Sequence, residues 1–348
     1  STRCLTRHVD PITALLAEVS MRPDFSEAEH EALKRETLGL LDDVRDDDAS
    51  LAARWFDHLA LPDHPYGQSL LGTKAALEQL SLAEVRSFAR AHLTPRAALV
   101  GIGGDATPAH AEGLAERLLG TAHAVSQTRK GEAPAFLAGR RTYVIDKPER
   151  TQAQLLLGHP APPPSDPDFL PLQVAATVLG GSFTSRLMTE VRVKRGWSYG
   201  ASARLARARL GHTFRIHVFP ALAQAADTLA LVLATWEQAV SDGIRPDELE
   251  FAKSYLEGRW AFEIDTADDR LGHRFEAWLL ELPADAHLTF TNRLRAVTLD
   301  DMHAAIARWW RPANATIVMT ATAEEVMPRL DGMAETTGPI KVLPYDGY

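Results

Sequence analysis

An arginine and a tyrosine seven residues apart, Arg192 and Tyr199, are the side chains of this sequence best suited to polar chemistry. They lie in the stretch 180–199, where a Gly-Gly pair is followed by a helix-compatible run, a basic cluster (Arg192, Lys194 and Arg195) and a glycine. A guanidinium holds several donors in a fixed geometry and stays charged at any working pH, and a phenol adds one donor. The two side chains could therefore converge on one carbonyl or developing oxyanion. The alternative interpretation is a basic surface helix followed by a tyrosine packed in the core.

The stretch 180–199 resembles the signature of the C-terminal domain in the pitrilysin/insulinase family of zinc peptidases, which includes the mitochondrial processing peptidase. In that family the segment after a Gly-Gly pair ends in an arginine and a tyrosine seven positions apart, which are Arg192 and Tyr199 here. The resemblance implies that this domain binds no zinc and that the pair binds the substrate backbone opposite a zinc ion held elsewhere. We therefore expect Arg192 and Tyr199 to be substrate-binding residues, and we expect no catalytic or metal-binding residue in this chain.

Length, charge and cysteine content narrow the function classes. A chain of 348 residues is long enough for two domains, each with its own core. The net charge of -9 argues against a nucleic-acid partner, which would require a basic face. The single cysteine, Cys4, excludes an internal disulfide and a thiolate metal site. No apolar run approaches the roughly 18 residues of a membrane-spanning helix. We therefore expect a soluble protein of the bacterial periplasm or cytoplasm, without membrane insertion.

An internal repeat indicates two copies of one α/β unit. The segments 80–100 and 297–318 both contain a Ser/Thr N-cap with an acid three residues later, an amphipathic helical run, a proline and an apolar run. A second pair of matching segments lies upstream of these two. The matched positions are Ser81 with Thr298 and Pro95 with Pro312 at an offset of 217, and Glu31 to Lys34 with Glu250 to Lys253 and Phe56 with Phe275 at an offset of 219.

The repeat predicts an N-terminal domain over residues 1–125 and a C-terminal domain over residues 126–348 that begins with a strand at 141–145. Subtracting an offset of 218 from 141 gives -77, so the first domain is expected to lack about its first 77 residues. The fold class is α/β (α+β): two homologous domains in tandem, each a mixed, mainly antiparallel sheet with helices packed on one side. The resemblance adds that they enclose a cavity. Further strands are predicted at 96–102, 152–158, 199–206 and 212–219.

The zinc-binding pattern of the resembled family is absent from the sequence. None of the 13 histidines belongs to a His-x-x-Glu-His or His-Glu-x-x-His pattern. The family's third ligand is a glutamate about 24 residues before a His-Pro-Tyr-Gly-like loop, which is residues 64–67 here. That spacing leads to Leu40, which offers zinc no N, O or S donor. Glu36, one helical turn away, is the alternative ligand. We expect no zinc ion in this chain.

Three functions remain open at this point. The leading hypothesis is a non-catalytic, substrate-binding subunit of a heterodimeric zinc metallopeptidase that cleaves peptides or unfolded protein segments. Arg192 and Tyr199 would then act beside the Zn²⁺ ion of a homologous partner subunit. The alternative is a self-sufficient zinc metalloendopeptidase whose His-x-x-Glu-His helix lies in an N-terminal segment absent from this sequence. The third is a structural member that scaffolds a complex, as some family subunits do in respiratory membranes; the acidic, soluble composition argues against it.

Overall fold

The computed structural model describes residues 1–93, 98–120 and 131–347, and the contacts between residues divide the chain into two compact units. Unit 1 comprises Ser1–Leu41, Leu71–Gly131 and Ile264–Phe275. Unit 2 comprises Asp42–Leu70, Glu132–Glu263 and Glu276–Tyr348. Each unit therefore contains residues from both copies of the repeat.

Unit 1 is helical in its described residues. Its helices are α1 (Val9–Met21), most of α2 (Glu27–Asp46), α4 (Lys74–Gln79), α5 (Leu82–His92), α6 (Pro108–Leu119) and the first part of α10 (Ala267–Leu279). The strand predicted at 96–102 is wrong for its described part, since residues 98–102 are not in a strand. A strand needs a neighbour for its ladder of hydrogen bonds, and the described residues of unit 1 contain none. Gly101 lies instead against Phe275 of α10.

Unit 2 is built on a six-stranded sheet with the strand order β3-β4-β2-β5-β1-β6. Strands β3, β4, β2 and β5 pair antiparallel, whereas β1 pairs parallel with both β5 and β6. The predicted mixed, mainly antiparallel α/β architecture is confirmed by this sheet. The strands are β1 (Arg141–Asp146), β2 (Gln154–Ala161), β3 (Ser198–Leu205), β4 (His212–Pro220), β5 (Thr316–Ala321) and β6 (Ile340–Pro344).

The main core of unit 2 lies between one face of the sheet and a layer of helices. Alternate residues of adjacent strands, such as Leu155 and Leu157 in β2 and Phe214 and Ile216 in β4, are fully buried in this core. Burial of these large apolar side chains is the dominant favourable term in folding. The helices are α7 (Phe169–Ala176), α8 (Ala225–Ser241), α9 (Pro246–Glu263), α11 (Ala286–Ala296), α12 (Leu299–Trp309), α13 (Ala323–Leu330) and α14 (Ala334–Thr337).

Helix α3 (Asp48–Ala60) covers part of the opposite face of the sheet. Its fully buried Phe56 belongs to an apolar cluster with Leu156 of β2. The start of the helix is fixed by Lys147, whose Nζ donates to Asp48 Oδ1 at 2.6 Å. A helix from the first copy of the repeat therefore completes the packing of a sheet formed by the second copy.

Equivalent helices of the two copies match in length and spacing. Helices α5 and α12 both contain 11 residues and begin 217 residues apart, at 82 and 299. Helices α3 and α10 both contain 13 residues and begin 219 residues apart, at 48 and 267. Both predicted capping boxes form, Ser81 with Glu84 and Thr298 with Asp301. The helices thus follow the repeat, while the match of Pro95 to Pro312 stays a prediction because Pro95 lies outside the described residues.

The equivalent helices α3 and α10 are exchanged between the units. Helix α3 comes from the first copy and belongs to unit 2, whereas residues 267–275 of α10 come from the second copy and belong to unit 1. Within the described residues, none of the helices combines the length and the apolar composition needed to cross a bilayer.

Candidate functional site

The stretch 180–199 is held against strand β3 by a close backbone contact. Helix α7 continues into a π-helical segment, Thr177–Gly181, and a second π-helical segment, Met188–Val193, carries Arg192. A Cβ atom on Gly180 would lie 2.4 Å from the backbone nitrogen of Ala203 in β3. Only glycine permits this approach, so Gly180, the first glycine of the pair, has a steric role.

The second π-helical segment ends at a glycine in the left-handed region. Gly196 has a φ of 64°, which costs glycine little and other residues more. Its amide donates to the carbonyl oxygen of Arg192 at 3.1 Å, and the amide of Trp197 donates to that of Val191 at 3.0 Å. These bonds close the helical end and direct the chain into β3 within two residues.

Tyr199 lies in an irregularity at the start of β3. The register between β3 and β4 shifts between Ser198 and Ala201, as in a β-bulge. Ser198 Oγ donates to the carbonyl oxygen of Gly200 at 2.8 Å and accepts from the amide of Phe219 at 3.3 Å. Bulges commonly re-aim a side chain beside a functional site. Here Tyr199 is 78% exposed.

The guanidinium of Arg192 lies over two exposed aromatic rings. Its Cζ is 4.5 Å from the ring centroid of Tyr199 and 5.5 Å from that of Phe183. Such contacts are cation–π interactions, and a guanidinium that stacks on a ring keeps its in-plane N–H donors available. Among the described residues, this guanidinium makes no hydrogen bond or ion pair with another residue. We refer to Phe183, Arg192 and Tyr199 as the arginine–aromatic cluster.

The other two members of the basic cluster, Lys194 and Arg195, share an acidic partner within the stretch. Lys194 Nζ donates to Glu190 Oε1 at 2.5 Å, and Arg195 Nη1 donates to Glu190 Oε2 at 2.7 Å. The hydrogen bond from Lys194, followed by that from Arg195, lowers the pKa of Glu190. The basic cluster seen in the sequence therefore divides into two cations that share one carboxylate, Glu190, and a third cation, Arg192, that has no acidic partner among the described residues.

The structure brings together the two side chains that the sequence predicts to converge. Arg192 and Tyr199 are in contact, and Tyr199 is exposed, so the alternative of a tyrosine packed in the core is wrong. Their role in substrate binding stays a prediction. Phe183 was not identified from the sequence; its position directly after Gly-Gly-Ser, at the bend that leads to Arg192, is the only signal that the chain offers for it.

The residues considered as zinc ligands do not assemble into a metal site. Leu40 and Glu36 are both exposed on α2. His64 Nδ1 accepts from the amide of Tyr66 at 3.1 Å, so its Nε2–H is the group that donates to the Glu132 carbonyl oxygen at 3.1 Å. Across the residues that the structure describes, no group of three or more histidines, cysteines or acids could hold a metal ion. The loop at 64–67 therefore has hydrogen bonds that fix a turn.

Comparisons with known proteins bear on this site. The family model described as "Peptidase M16 inactive domain" matches residues 79–256. The non-peptidase homolog YmxG of Helicobacter pylori is 24% identical over 302 residues, which cover 86% of this chain and 69% of that protein. An uncharacterized zinc protease of Streptomyces coelicolor is 25% identical over 275 residues, which cover 76% of this chain and 59% of that protein.

A solved structure shows the same fold. The peptidase M16 inactive domain from Pseudomonas fluorescens superposes with a TM-score of 0.79 at 24% identity, covering 90% of this chain and 75% of that chain. The chain thus spans only part of the length of each of these three proteins.

Proposed function

This chain belongs to the peptidase M16 family, which confirms the family predicted from the sequence, and we propose that it is a non-catalytic, substrate-binding subunit of a heterodimeric zinc metallopeptidase. The match to the family's inactive domain supports the non-catalytic part of the proposal. A homologous partner subunit would hold the Zn²⁺ ion, and Arg192 and Tyr199 would bind an extended peptide or an unfolded protein segment beside it.

The main support for this proposal is that the Arg192 guanidinium has no acidic or hydrogen-bonding partner among the described residues. An arginine with a purely structural role would be expected to pair with an acid, as Arg195 does with Glu190. Arg192 is instead held by two exposed rings with its donors unused among the described residues. Peptide carbonyl oxygens each accept up to two hydrogen bonds, so one such oxygen could take one donor from Arg192 and one from the Tyr199 hydroxyl.

In the complex, the partner's zinc ion would polarise the scissile carbonyl and activate water. The residues of this chain would hold the peptide backbone and donate hydrogen bonds to its carbonyl oxygen or to the oxyanion that develops there. Losing one donor of this kind typically slows a reaction by roughly 100- to 1,000-fold. A cation stacked on aromatic rings is already oriented before the substrate arrives, so little side-chain entropy is lost on binding.

The second candidate is a self-sufficient zinc metalloendopeptidase, which the name of the Streptomyces relative favours. Elemental analysis of the native protein, together with sequencing of its N-terminus, separates the two candidates. The proposal predicts no stoichiometric zinc and no cleavage of unfolded peptides by the chain alone, with cleavage restored by a homologous zinc-bearing subunit. One zinc ion per chain together with chelator-sensitive cleavage would overturn the proposal.

The role of Tyr199 is tested in the reconstituted complex. Tyr199→Phe removes only a hydroxyl, so the melting temperature should not change, while the cleavage rate should fall at least about tenfold. The matched control is Tyr255→Phe, which makes the same change on the surface of α9 and should leave the rate unchanged. Equal rates for the two variants would contradict the proposed role of the hydroxyl.

A further inference from the structure

Strands β3 and β4 place two arginines directly opposite each other. Arg204 and Arg215 are register partners in this antiparallel pair, so their side chains lie on the same face of the sheet. Like charges directly opposite one another destabilise a sheet. Arg204 is exposed and Arg215 is half-buried, so both can be reached from solvent. An unfavourable pairing of this kind suggests that the two residues have a function other than holding the strands together.

Neither guanidinium is neutralised by a hydrogen-bonded partner. The arginines of unit 2 usually bind an acid, as Arg186 binds Glu248 at 2.6 Å and Arg207 binds Glu276 at 2.7 Å. Arg204 and Arg215 form no hydrogen bond or ion pair through their guanidinium groups with any described residue. Arg192, in the arginine–aromatic cluster, shares this property.

The titratable neighbours leave the pair with a net positive charge. His217, two residues from Arg215 on β4, donates from Nε2 to Gln154 Oε1 at 2.9 Å. Burial, helped by Arg215 and then Arg204, lowers the pKa of His217 to about 4, so it is neutral at pH 7. Asp57 on α3 has its pKa raised to about 6 by burial, against an opposing effect of Arg215, and no hydrogen bond links Asp57 to either arginine among the described residues. Asp57 thus acts on Arg215, and one carboxylate cannot offset the charge of two guanidinium groups.

We propose that Arg204 and Arg215 bind a carboxylate of the peptide, so that this chain selects substrates with an acidic group. Two guanidinium groups side by side can bind a carboxylate through several charge-assisted hydrogen bonds. Tyr199 and Arg204 are five residues apart in β3, about 16 Å at the rise of a strand. An extended peptide anchored at the arginine–aromatic cluster spans that distance with about five residues. The identity of the ligand as a peptide rests on the proposed function.

The test uses one labelled peptide in four forms. The peptide has Glu or Gln five residues from the residue that binds at the arginine–aromatic cluster, and its C-terminus is either free or amidated. Fluorescence anisotropy with the full chain should give a dissociation constant at least roughly tenfold lower for a form that carries the recognised carboxylate than for the amidated Gln form, which carries neither carboxylate. If the Glu-to-Gln change removes the preference, the carboxylate is a side chain; if amidation removes it, the carboxylate is the chain terminus.

Variants separate this site from the arginine–aromatic cluster. The double variant Arg204→Gln, Arg215→Gln should lose the preference and still bind the Gln-containing amide as the wild type does. Arg207→Gln, which removes an arginine that already has an acid partner, is the matched control and should keep the preference. A double variant that keeps the preference, or a wild type without one, would overturn the carboxylate site and leave the proposed function standing.

If the proposed function is wrong, the peptide-binding assay gives a different result. If no form of the peptide binds, the peptide-binding proposal is wrong, and a titration with glutarate then decides the carboxylate site by itself. The guanidinium Nε–H signals of Arg204 and Arg215 are assigned by their absence from the NMR spectrum of the double variant. In the wild type these signals should shift when glutarate is added. Unshifted signals would refute carboxylate binding at Arg204 and Arg215.

Discussion

Replacing Gly180 with alanine tests how the candidate site is positioned. Gly180 lies at the end of the π-helical segment that packs on β3, and a Cβ atom there would be 2.4 Å from the Ala203 backbone nitrogen and 2.8 Å from the Ala203 Cβ. The φ of Gly180 is not in the left-handed region, so alanine meets a purely steric obstacle. The contact atoms are backbone and Cβ atoms of a strand, which cannot rotate away as a flexible side chain would.

The size of the effect follows from these distances. Ordinary van der Waals contact begins at 3.4 Å, so the segment and the strand must separate by about 1 Å (3.4 minus 2.4). Overpacking of a well-packed interior typically costs about 1–3 kcal/mol. We expect Gly180→Ala to lower the free energy of unfolding of unit 2 by that amount. Because the segment leads to Arg192, it should also weaken peptide binding.

Urea unfolding followed by tryptophan fluorescence reports on unit 2 alone. All seven tryptophans of the chain lie in the segments that form this unit. The matched control is Gly258→Ala, in the interior of α9, where a Cβ atom would meet nothing within 4 Å. That change should raise the free energy of unfolding by about 0.8–1 kcal/mol, the difference in helix propensity between the two residues. Equal stabilisation in both variants would refute the close contact between Gly180 and β3.

Lowering the pH from 6.5 to 4 should destabilise unit 2. Burial lowers the pKa of His159 and of His217 to about 4 in the folded protein. Between pH 6.5 and pH 4 the unfolded chain therefore binds more protons than the folded chain, and the free energy of unfolding falls by up to about 3 kcal/mol per histidine. The raised pKa of Asp57 acts in the opposite direction below pH 6 and offsets part of this loss of stability. A urea midpoint that is the same at pH 7 and at pH 4.5 would contradict the expected net destabilisation. Ser198→Ala should cost about 1–3 kcal/mol, because it leaves the Phe219 amide and the Gly200 carbonyl without their partner. A urea midpoint equal to that of the wild type would show that the bulge does not depend on this hydroxyl.

The Arg192–Tyr199 pair could be predicted from the sequence because its geometry is local. Seven residues that include a helical turn, a glycine and the first residues of a strand keep the two backbone positions close. The resemblance to the zinc-peptidase family then favoured convergence of the side chains over a tyrosine packed in the core. The capping boxes at Ser81 and Thr298 were predictable for the same reason, since a cap is defined within four residues. The proposed division at residues 125 and 126 is not local in this sense and stays a prediction.

Features that depend on distant residues were not predictable. Arg204 and Arg215 face each other only because of the register of β3 on β4, which the sequence pattern does not specify between these strands. Strand β6 pairs with β1 from nearly 200 residues away, and its residues are mostly exposed or half-buried, so they show little strand pattern. The strand predicted at 96–102 failed because a strand requires a partner, which the propensity of a single segment cannot report.

Peptide binding by the chain alone, in the absence of zinc, tests the central claim most directly. The dissociation constant of a labelled, unfolded peptide should rise at least roughly tenfold in Arg192→Ala, since a hydrogen bond from a charged donor is lost. It should stay unchanged in the matched control Arg259→Ala, whose exposed arginine is paired with Glu263 on α9. Equal dissociation constants for the wild type, Arg192→Ala and Arg259→Ala would contradict the assignment of the arginine–aromatic cluster as the substrate-binding site.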